Sequence, residues 1–400
     1  MNQIADIKPD ASSRRSPYFS EEHEMLRAQV RRFVETEIKP HALAWEEQGC
    51  VPREVLRRMG SLGFFGIRYP ARYGGSEMDA LATVVLAEEL GRSTFSGVAI
   101  TALVHSDMAS IHVFRSGSEA QKDKWMPAII AGEVITAVAV TEPDAGSDVK
   151  GIRAFARREG DSYILNGAKM FITNGTVADV YVVMAVTDAA KNRSGVSAFI
   201  VERGTPGLSN GRRIEKLGLR ASDTAEVIFD NVTVPARNLI GELGEGYSQT
   251  LKVLEGGRIG IAGFAAGIAR GAFEEATAYA KERKQFGKRI ADFQAIQWML
   301  ADMATRIDAS WVLMCRAAEL KDKGKPFGRE AAMAKLFASE TAMWTTIKAV
   351  QIHGGYGYMA EFPVERFMRD AKLAEIGEGT SEVQRMIIAK SLLRDGYLPA

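Results

Sequence analysis

Cysteine is nearly missing from this chain of 400 residues, which carries only Cys50 and Cys315. Two thiols so far apart supply neither a disulfide framework nor a metal-binding spacing, which fits a reducing compartment. Cys315 lies on an apolar helical stripe and reads as core. An excess of one charge is missing too: 51 Lys and Arg face 50 Asp and Glu, for a net charge of +1. Such a balance builds no field to hold nucleic acid or an anionic membrane, so neither is expected as a partner. No window offers the roughly 20 uninterrupted apolar residues that a membrane span requires. His105, His112 and His353 have no partner at a ligand spacing, so no metal site is expected and these residues read as structural or cofactor-proximal. The opening residues, MNQIADIKPDASSRRSP, hold two aspartates and no apolar run, unlike a secretory signal or transit peptide. Residues 1–19 read as a flexible tail. Cytoplasmic residence is the expectation, or the mitochondrial matrix if the source is eukaryotic. Internal repeats and low-complexity tracts are likewise lacking.

What is present is an ordinary globular composition, 46% hydrophobic and 25% charged, long enough for two or three packed units. Periodicity divides it. From Ser20 to about residue 133 the text is helical: Ser20 can cap, Glu21 and Glu22 favour the positive helix start, and Leu26, Val30, Phe33 and Val34 share a face. Further helical blocks are expected near residues 77–92 and 118–131. Between 134 and 244 the pattern becomes alternating and β-branched, in VITAVAV, ADVYVVMAV, VSAFIV and AEVIFDNVTV. There REGDSY reads as a hairpin turning at Gly160 and Asp161. From about residue 245 to 400 the period is helical again. Ile296, Met299, Leu300, Met303, Ile307, Trp311, Met314 and Ala318 track one stripe, more consistent with bundle core than with a cofactor box, and a second block runs from Arg329 to Ile352. The fold class is therefore α+β and mainly α: an N-terminal helical domain, a central β-sheet domain and a C-terminal helical bundle. Without alternating βαβ units it is not a doubly wound nucleotide fold. HGGYGYMA follows a helical pattern and has the wrong glycine spacing for a dinucleotide fingerprint.

Four stretches carry candidate chemistry, each with a plainer alternative. In IGEGTSEVQR, Glu378 stands between Gly377 and Gly379. It reads either as an exposed glutamate at a helix start, or as a carboxylate that small neighbours leave free to approach a reacting carbon. VTEPDAGSDV, residues 140–149, ends a strand in a turn whose Thr141, Ser147 and backbone N–H groups suit an anion or the edge of a heteroaromatic ring, or forms a simple polar loop. NGAKMFITNG, residues 166–175, offers Phe171 and Thr173 to a flat ring, or is a strand with alternating faces. ERKQFGKRI, residues 282–290, is dense in charge like a solvated helix end, yet contains Phe286 and Gly287.

Taken together and in order, these stretches resemble the acyl-CoA dehydrogenase family from about Ser20 to Leu393. The resemblance is carried by VAVTEPDAGSDV, KMFITNG, GRIGIAGFAAGIARGAFEEATAYAKERKQFGK, QIHGGYGYMAEFPVERFMRDAK and EGTSEVQR. It implies helical, β and four-helix domains, one FAD per subunit and a homotetramer. By it, Glu378 is the catalytic base. Thr141, Thr173 and main chain near Val140 and Ser147 hold the flavin ring, with Phe171 against it. Arg283, Gln285 and Phe286 reach the FAD of a neighbouring subunit, as do Gln351, Gly354 and Gly355 around its diphosphate. Thr380 and Glu382 add cofactor contacts. Glu255 and Arg258 line the groove for CoA and acyl chain, with Ser147, Gly377 and Gly379 also at the substrate.

The implied reaction is removal of the α proton of an acyl-CoA by Glu378 and transfer of the β hydrogen as hydride to flavin N5, giving a trans-2-enoyl thioester. The Glu378 main-chain N–H and a flavin ribityl hydroxyl are implied donors to the thioester oxygen. A free glutamate near pKa 4.3 is a poor base for this task, so burial is expected to raise it. Electrons are expected to pass to an electron-transfer flavoprotein or similar carrier. Two positions depart from the family pattern. Gly377 stands where many relatives carry tyrosine, which widens the pocket for a short, branched or cyclic acyl group. Phe171 replaces a common tryptophan. Gly257, preceding Arg258, leaves no alternative base on that helix, and the pair Gly256 and Gly257 signals either ligand space or close helix packing. The alternatives are a dehydrogenase of carrier-protein-bound acyl groups, an oxygen-using oxidase or flavin monooxygenase, and a scaffold without catalysis.

Overall fold

The computed structural model describes residues 18–396, so most of the expected tail lies outside the described residues. Helices α1 (Glu21–Phe33), α2 (Ala42–Gln48), α3 (Arg53–Ser61), α4 (Ala80–Gly91), α5 (Ser96–Leu103), α6 (Ser110–Ser116) and α7 (Glu119–Ile130) come first. A π-helical turn, Val104–Ala109, joins α5 to α6. Local chemistry sets the starts. Ser20 accepts from the His23 N–H while the His23 ring accepts from the Ser20 N–H, and Ser118 and Gln121 form the same reciprocal cap on α7. Helix α4, ALATVVLAEELG, is buried on every side, in keeping with a surface that is apolar over most of its circumference. Its two acids, Glu88 and Glu89, are tolerated because Arg27, Arg31 and Arg270 close on them.

Eight strands follow in one sheet: β1 (Thr136–Ala139), β2 (Phe155–Glu159), β3 (Ser162–Thr173), β4 (Val180–Val186), β5 (Val196–Glu202), β6 (Leu208–Arg213), β7 (Thr224–Pro235) and β8 (Leu239–Ile240). Their order is β6-β7-β3-β2-β4-β5-β8, with β1 parallel to β4. The β2–β3 hairpin closes on the Glu159–Ser162 pair, with Gly160 at φ 57° supplying the left-handed turn. β3 and β7 are twelve residues each and carry two register shifts, one of them between Lys169 and Ile172.

The remainder is helical apart from the small β9 (Lys284–Gln285) and β10 (Lys288–Arg289) ribbon. It consists of α8 (Gly246–Glu282), α9 (Gln294–Asp322), α10 (Gly328–His353), α11 (Val364–Ala374) and α12 (Ser381–Asp395). Helix α8, 37 residues long, is the axis of the molecule and packs on α4, α9, α10 and α11. Its small residues let backbones meet: a Cβ on Gly267 would lie 2.2 Å from the Glu88 carbonyl oxygen. Met303, Ile307, Met314 and Ala318 are buried, so their stripe is bundle core. Trp298, near the start of the same helix, is 61% exposed. One helical run among the described residues, Ser96–Ser116, is long and apolar enough to cross a membrane, and 83% of it is buried inside the protein. Polar residues such as Ser106 and Asp107 interrupt the run, so it is not an unbroken apolar stretch.

Candidate active site

The link from α11 to α12 carries Glu378. Its φ of 54° is left-handed, and Gly379 follows at φ 92°. A non-glycine residue held there is strained by about 1–3 kcal/mol and persists only where its surroundings enforce it. They do: Lys335 on α10 donates to the Gly379 carbonyl (2.7 Å), and Gln384 on α12 donates to the carbonyls of Gly379 (2.9 Å) and Glu378 (3.2 Å). Thr380 caps α12 by accepting from the Val383 N–H at 3.3 Å. The Glu378 N–H donates to no acceptor among the described residues.

Two left-handed residues in succession turn the Glu378 side chain back onto α8. A Cβ on Gly257 would lie 2.5 Å from Glu378 Oε1 and 2.8 Å from Oε2, so the absence of a side chain there is what admits the carboxylate. Gly256 does the same for Lys321, whose Nζ lies 2.9 Å from its Cβ position. The glycine pair thus makes room for side chains of this protein. Glu378 is only half-buried as a residue, but Oε2 is sealed from solvent and has no hydrogen-bond partner. Burial first, and the Asp107 charge second, push this carboxyl up to about 8, against the pull of Arg258, Lys335 and Lys321. Arg258 is 5% exposed and its Nε is also without a partner. Burial lowers its pKa. Lys335, fully buried, is pushed down to about 8 by desolvation. Glu255 lies against the start of α10, 2.9 Å from the Cβ position of Gly328. At Gly377 a Cβ would meet nothing nearer than the Leu373 carbonyl oxygen at 3.5 Å. A side chain fits there, and glycine leaves that space open.

The residues assigned to the flavin ring meet on the β domain. Lys169, with no exposed surface, donates to Glu142 Oε1 (2.7 Å) and to the Val140 carbonyl (3.0 Å). Glu142 accepts further bonds from the N–H groups of Arg153 and Ala154. The Met170 N–H donates to the Thr141 carbonyl at 2.8 Å. This fastens the loop to β3 immediately before Phe171, which sits at the register shift with φ 60° and is 62% exposed. The bulge re-aims Phe171 out of the pleat. Thr173 pairs with Thr224 on β7, and Ser147 is exposed in the turn.

A second group gathers at the far end of the bundle. Arg283, Gln285, Gly354 and Gly355 line one cavity of about 420 Å³ together with Tyr279 and Tyr356. The Arg283 guanidinium lies 5.3 Å from the Tyr356 ring centroid, and Tyr279 stacks on His353 at 4.2 Å. Gly354 takes φ 61°, and beside Gly355 the space is open. Gln351 is exposed on the last turn of α10, outside that lining. Phe286 is 94% exposed with φ 52° at the tip of the β9–β10 ribbon. Glu382 is exposed in the first turn of α12. The first group is a flat-ring ledge with hydroxyls; the second is a largely apolar and aromatic cavity with one arginine and two glycines in its lining.

Sequence reasoning passed over Lys335, Lys321, Asp107, Gln384 and the Lys169–Glu142 pair. Lys335 was detectable, because it falls on the buried stripe of Ala331, Ala334, Ala338 and Ala342. The others carry no such signal.

Comparison with known proteins identifies the family of the chain. Residues 20–133, 137–232 and 244–393 match the N-terminal, middle and C-terminal domains of acyl-CoA dehydrogenase. The short-chain-specific acyl-CoA dehydrogenase of Clostridium acetobutylicum is 46% identical over 93% of this chain and 98% of its own length. A subunit of the caffeyl-CoA reductase-Etf complex of Acetobacterium woodii is 46% identical over 94% of this chain and 100% of its own. The butyryl-CoA dehydrogenase structure from Megasphaera elsdenii superposes with a TM-score of 0.92 at 42% identity, covering 94% of this chain and 99% of that one. The chain belongs to the acyl-CoA dehydrogenase family, a family of flavoprotein oxidoreductases acting on acyl-CoA.

Proposed function

We propose that this protein desaturates a short acyl-CoA between its α and β carbons, with Glu378 as the base. The observation that carries this reading is the sealed, unpartnered Oε2 of Glu378, raised to about 8 and standing over Gly257. A buried carboxylate without a hydrogen-bond partner is unfavourable unless a ligand uses it. Glu378 takes the α proton onto its carboxylate. Its unengaged backbone N–H is a donor for the thioester oxygen, where negative charge develops as that proton leaves. FAD would be held at its ring by Val140, Thr141, Ser147, Phe171 and Thr173, with Thr380 and Glu382 nearby, while Arg283, Gln285, Phe286, Gln351, Gly354 and Gly355 would reach the FAD of a neighbouring subunit; the bound flavin would supply the acceptor for the β hydride. Arg258 and Glu255 line the thioester groove.

The open space at Gly377 supports a branched, cyclic or aryl substituent on a short chain. That the similar Acetobacterium protein is named for a caffeyl thioester and an Etf complex is in keeping with such a pocket, and with an electron-transfer flavoprotein as the redox partner. The test is anaerobic titration of the purified flavoprotein with straight, branched and aryl-substituted short acyl-CoAs, following loss of the flavin absorbance. Glu378→Gln is expected to bind the same thioesters with at least a roughly 100-fold slower bleaching rate, since general-base removal alone accounts for roughly 10²–10⁴. Turnover at the wild-type rate in that variant would place the base elsewhere.

A further inference from the structure

Three glycines of α8 each face a charged group where their Cβ would stand. Lys321 Nζ lies 2.9 Å from that position at Gly256, Glu378 Oε1 lies 2.5 Å from it at Gly257, and Asp107 Oδ2 lies 2.8 Å from it at Gly260. Residues three apart on a helix are neighbours, with Cβ positions about 5–6 Å apart. The carboxylates of Asp107 and Glu378 therefore occupy adjacent notches on one helix, within roughly 10 Å of each other.

Asp107 is held there on purpose-built geometry. It is 7% exposed, and its Oδ1 accepts from Arg68 Nη1 at 3.1 Å, which turns Oδ2 toward α8. It belongs to the π-helical turn Val104–Ala109, and such turns re-aim side chains and concentrate at functional sites. His105 in the same turn fixes it from the other side: its Nδ1 lies 3.0 Å from Thr136 Oγ1, and its Nε2 lies 3.0 Å from the Ile129 carbonyl oxygen. Burial keeps this imidazole neutral, with its pKa pushed down to about 4. Two enclosed carboxylates side by side repel each other.

We propose that Asp107, anchored by Arg68, is a positioning residue for the desaturation: its fixed negative charge, one helical turn from Glu378, strengthens the hold of that base on the α proton it removes. The inference rests on the reading of Glu378 as the base. The charged groups facing Glu378 are Asp107 from the π turn, Arg258 from α8, Lys321 from α9 and Lys335 from α10. The three cations weaken its grip on a proton, and Asp107 is the one charge among them that opposes this. A carboxylate matched to a weakly acidic C–H is a better general base than one that ionises near 4.

Asp107→Asn in the purified holoenzyme tests this, because Asn keeps the volume and the acceptor for Arg68 while removing the charge. A charge about 7–10 Å away in a medium of effective dielectric near 20 corresponds to about one to two pH units. The acid limb of kcat/KM against pH is expected to move down by about that much, with thioester binding unchanged. Difference infrared titration of the Glu378 carboxyl stretch, with Glu378→Gln as the blank, is expected to move down with it and needs no turnover. If Asn does not fold, Asp107→Ser removes the same charge with a smaller side chain and carries the same expectation. A limb and a carboxyl titration that stay where they are in wild type overturn the proposal. If they stay while Glu378→Gln is inactive, the assignment of the base survives; if Glu378→Gln turns over normally, both readings fall.

Discussion

At the scale of single residues, the site depends on a missing atom as much as on any present one. Alanine is the better helix former by about 1 kcal/mol at an interior position, yet a methyl at residue 257 would lie 2.5 Å from Glu378 Oε1. Gly257→Ala is therefore expected to retain or slightly gain thermal stability while bleaching the flavin at least tenfold more slowly, because the carboxylate must swing away from α8. Stopped-flow reduction together with a melting curve checks both halves. A variant that is as fast as wild type would show that the carboxylate does not need that notch. Gly256 and Gly257 also illustrate a limit of sequence reading. Their spacing leaves ligand space and helix packing equally open, and only the positions of Lys321 and Glu378 distinguish a third answer, room for charged side chains of the protein.

At the scale of elements, the β domain holds its exposed ledge rigid through a buried ion pair. Lys169 and Glu142 lie at 2.7 Å with side chains 0% and 7% exposed, and burial pushes the lysine down to about 8. Removing one partner strands the other charge, a loss of about 3–5 kcal/mol, whereas replacing both with apolar residues is close to neutral. Lys169→Met is expected to lower the denaturant midpoint and to weaken flavin retention, since Val140 and Thr141 lose their attachment to β3. Lys169→Met combined with Glu142→Gln is expected to regain part of the stability, since glutamine removes the stranded charge and keeps an acceptor for the Arg153 and Ala154 N–H groups. Equilibrium unfolding and the flavin-to-protein absorbance ratio measure the two effects. Most elements were legible in the text. The helices near residues 77–92 and 118–131 are found as Ala80–Gly91 and Glu119–Ile130, because caps and periodicity act locally. The bulge at Phe171 was not legible, since it arises from the pairing of β3 with β7 and not from the residues 169–172 themselves.

At the scale of the whole molecule, apolar surface remains uncovered in a pattern. Phe286 is 94% exposed at a left-handed turn beside the cavity of Arg283 and Gln285, and Tyr358 and Leu393 are 81% and 90% exposed. Exposed aromatic side chains on a strained ribbon are characteristic of contact surfaces, which is in keeping with the homotetramer that the family resemblance implies, in which this tip would meet a neighbour's FAD. Phe286→Ser is expected to shift the sedimentation profile toward smaller species and to release FAD on dilution, without altering the fold of the subunit. A tetramer that holds its flavin equally well would remove Phe286 from that contact.

Sequence alone determined the kinds and order of the elements and the stretch in which the candidate base lies, because capping, periodicity and motif order are properties of neighbouring residues. Only the tertiary structure decided the character of that base. Gly257 on α8, Lys335 on α10, Lys321 on α9 and Asp107 on a π turn converge on Glu378 from segments far apart in the chain. Desolvation and charge act through space, so the proton affinity of a carboxylate belongs to the folded surroundings rather than to the ten residues that contain it.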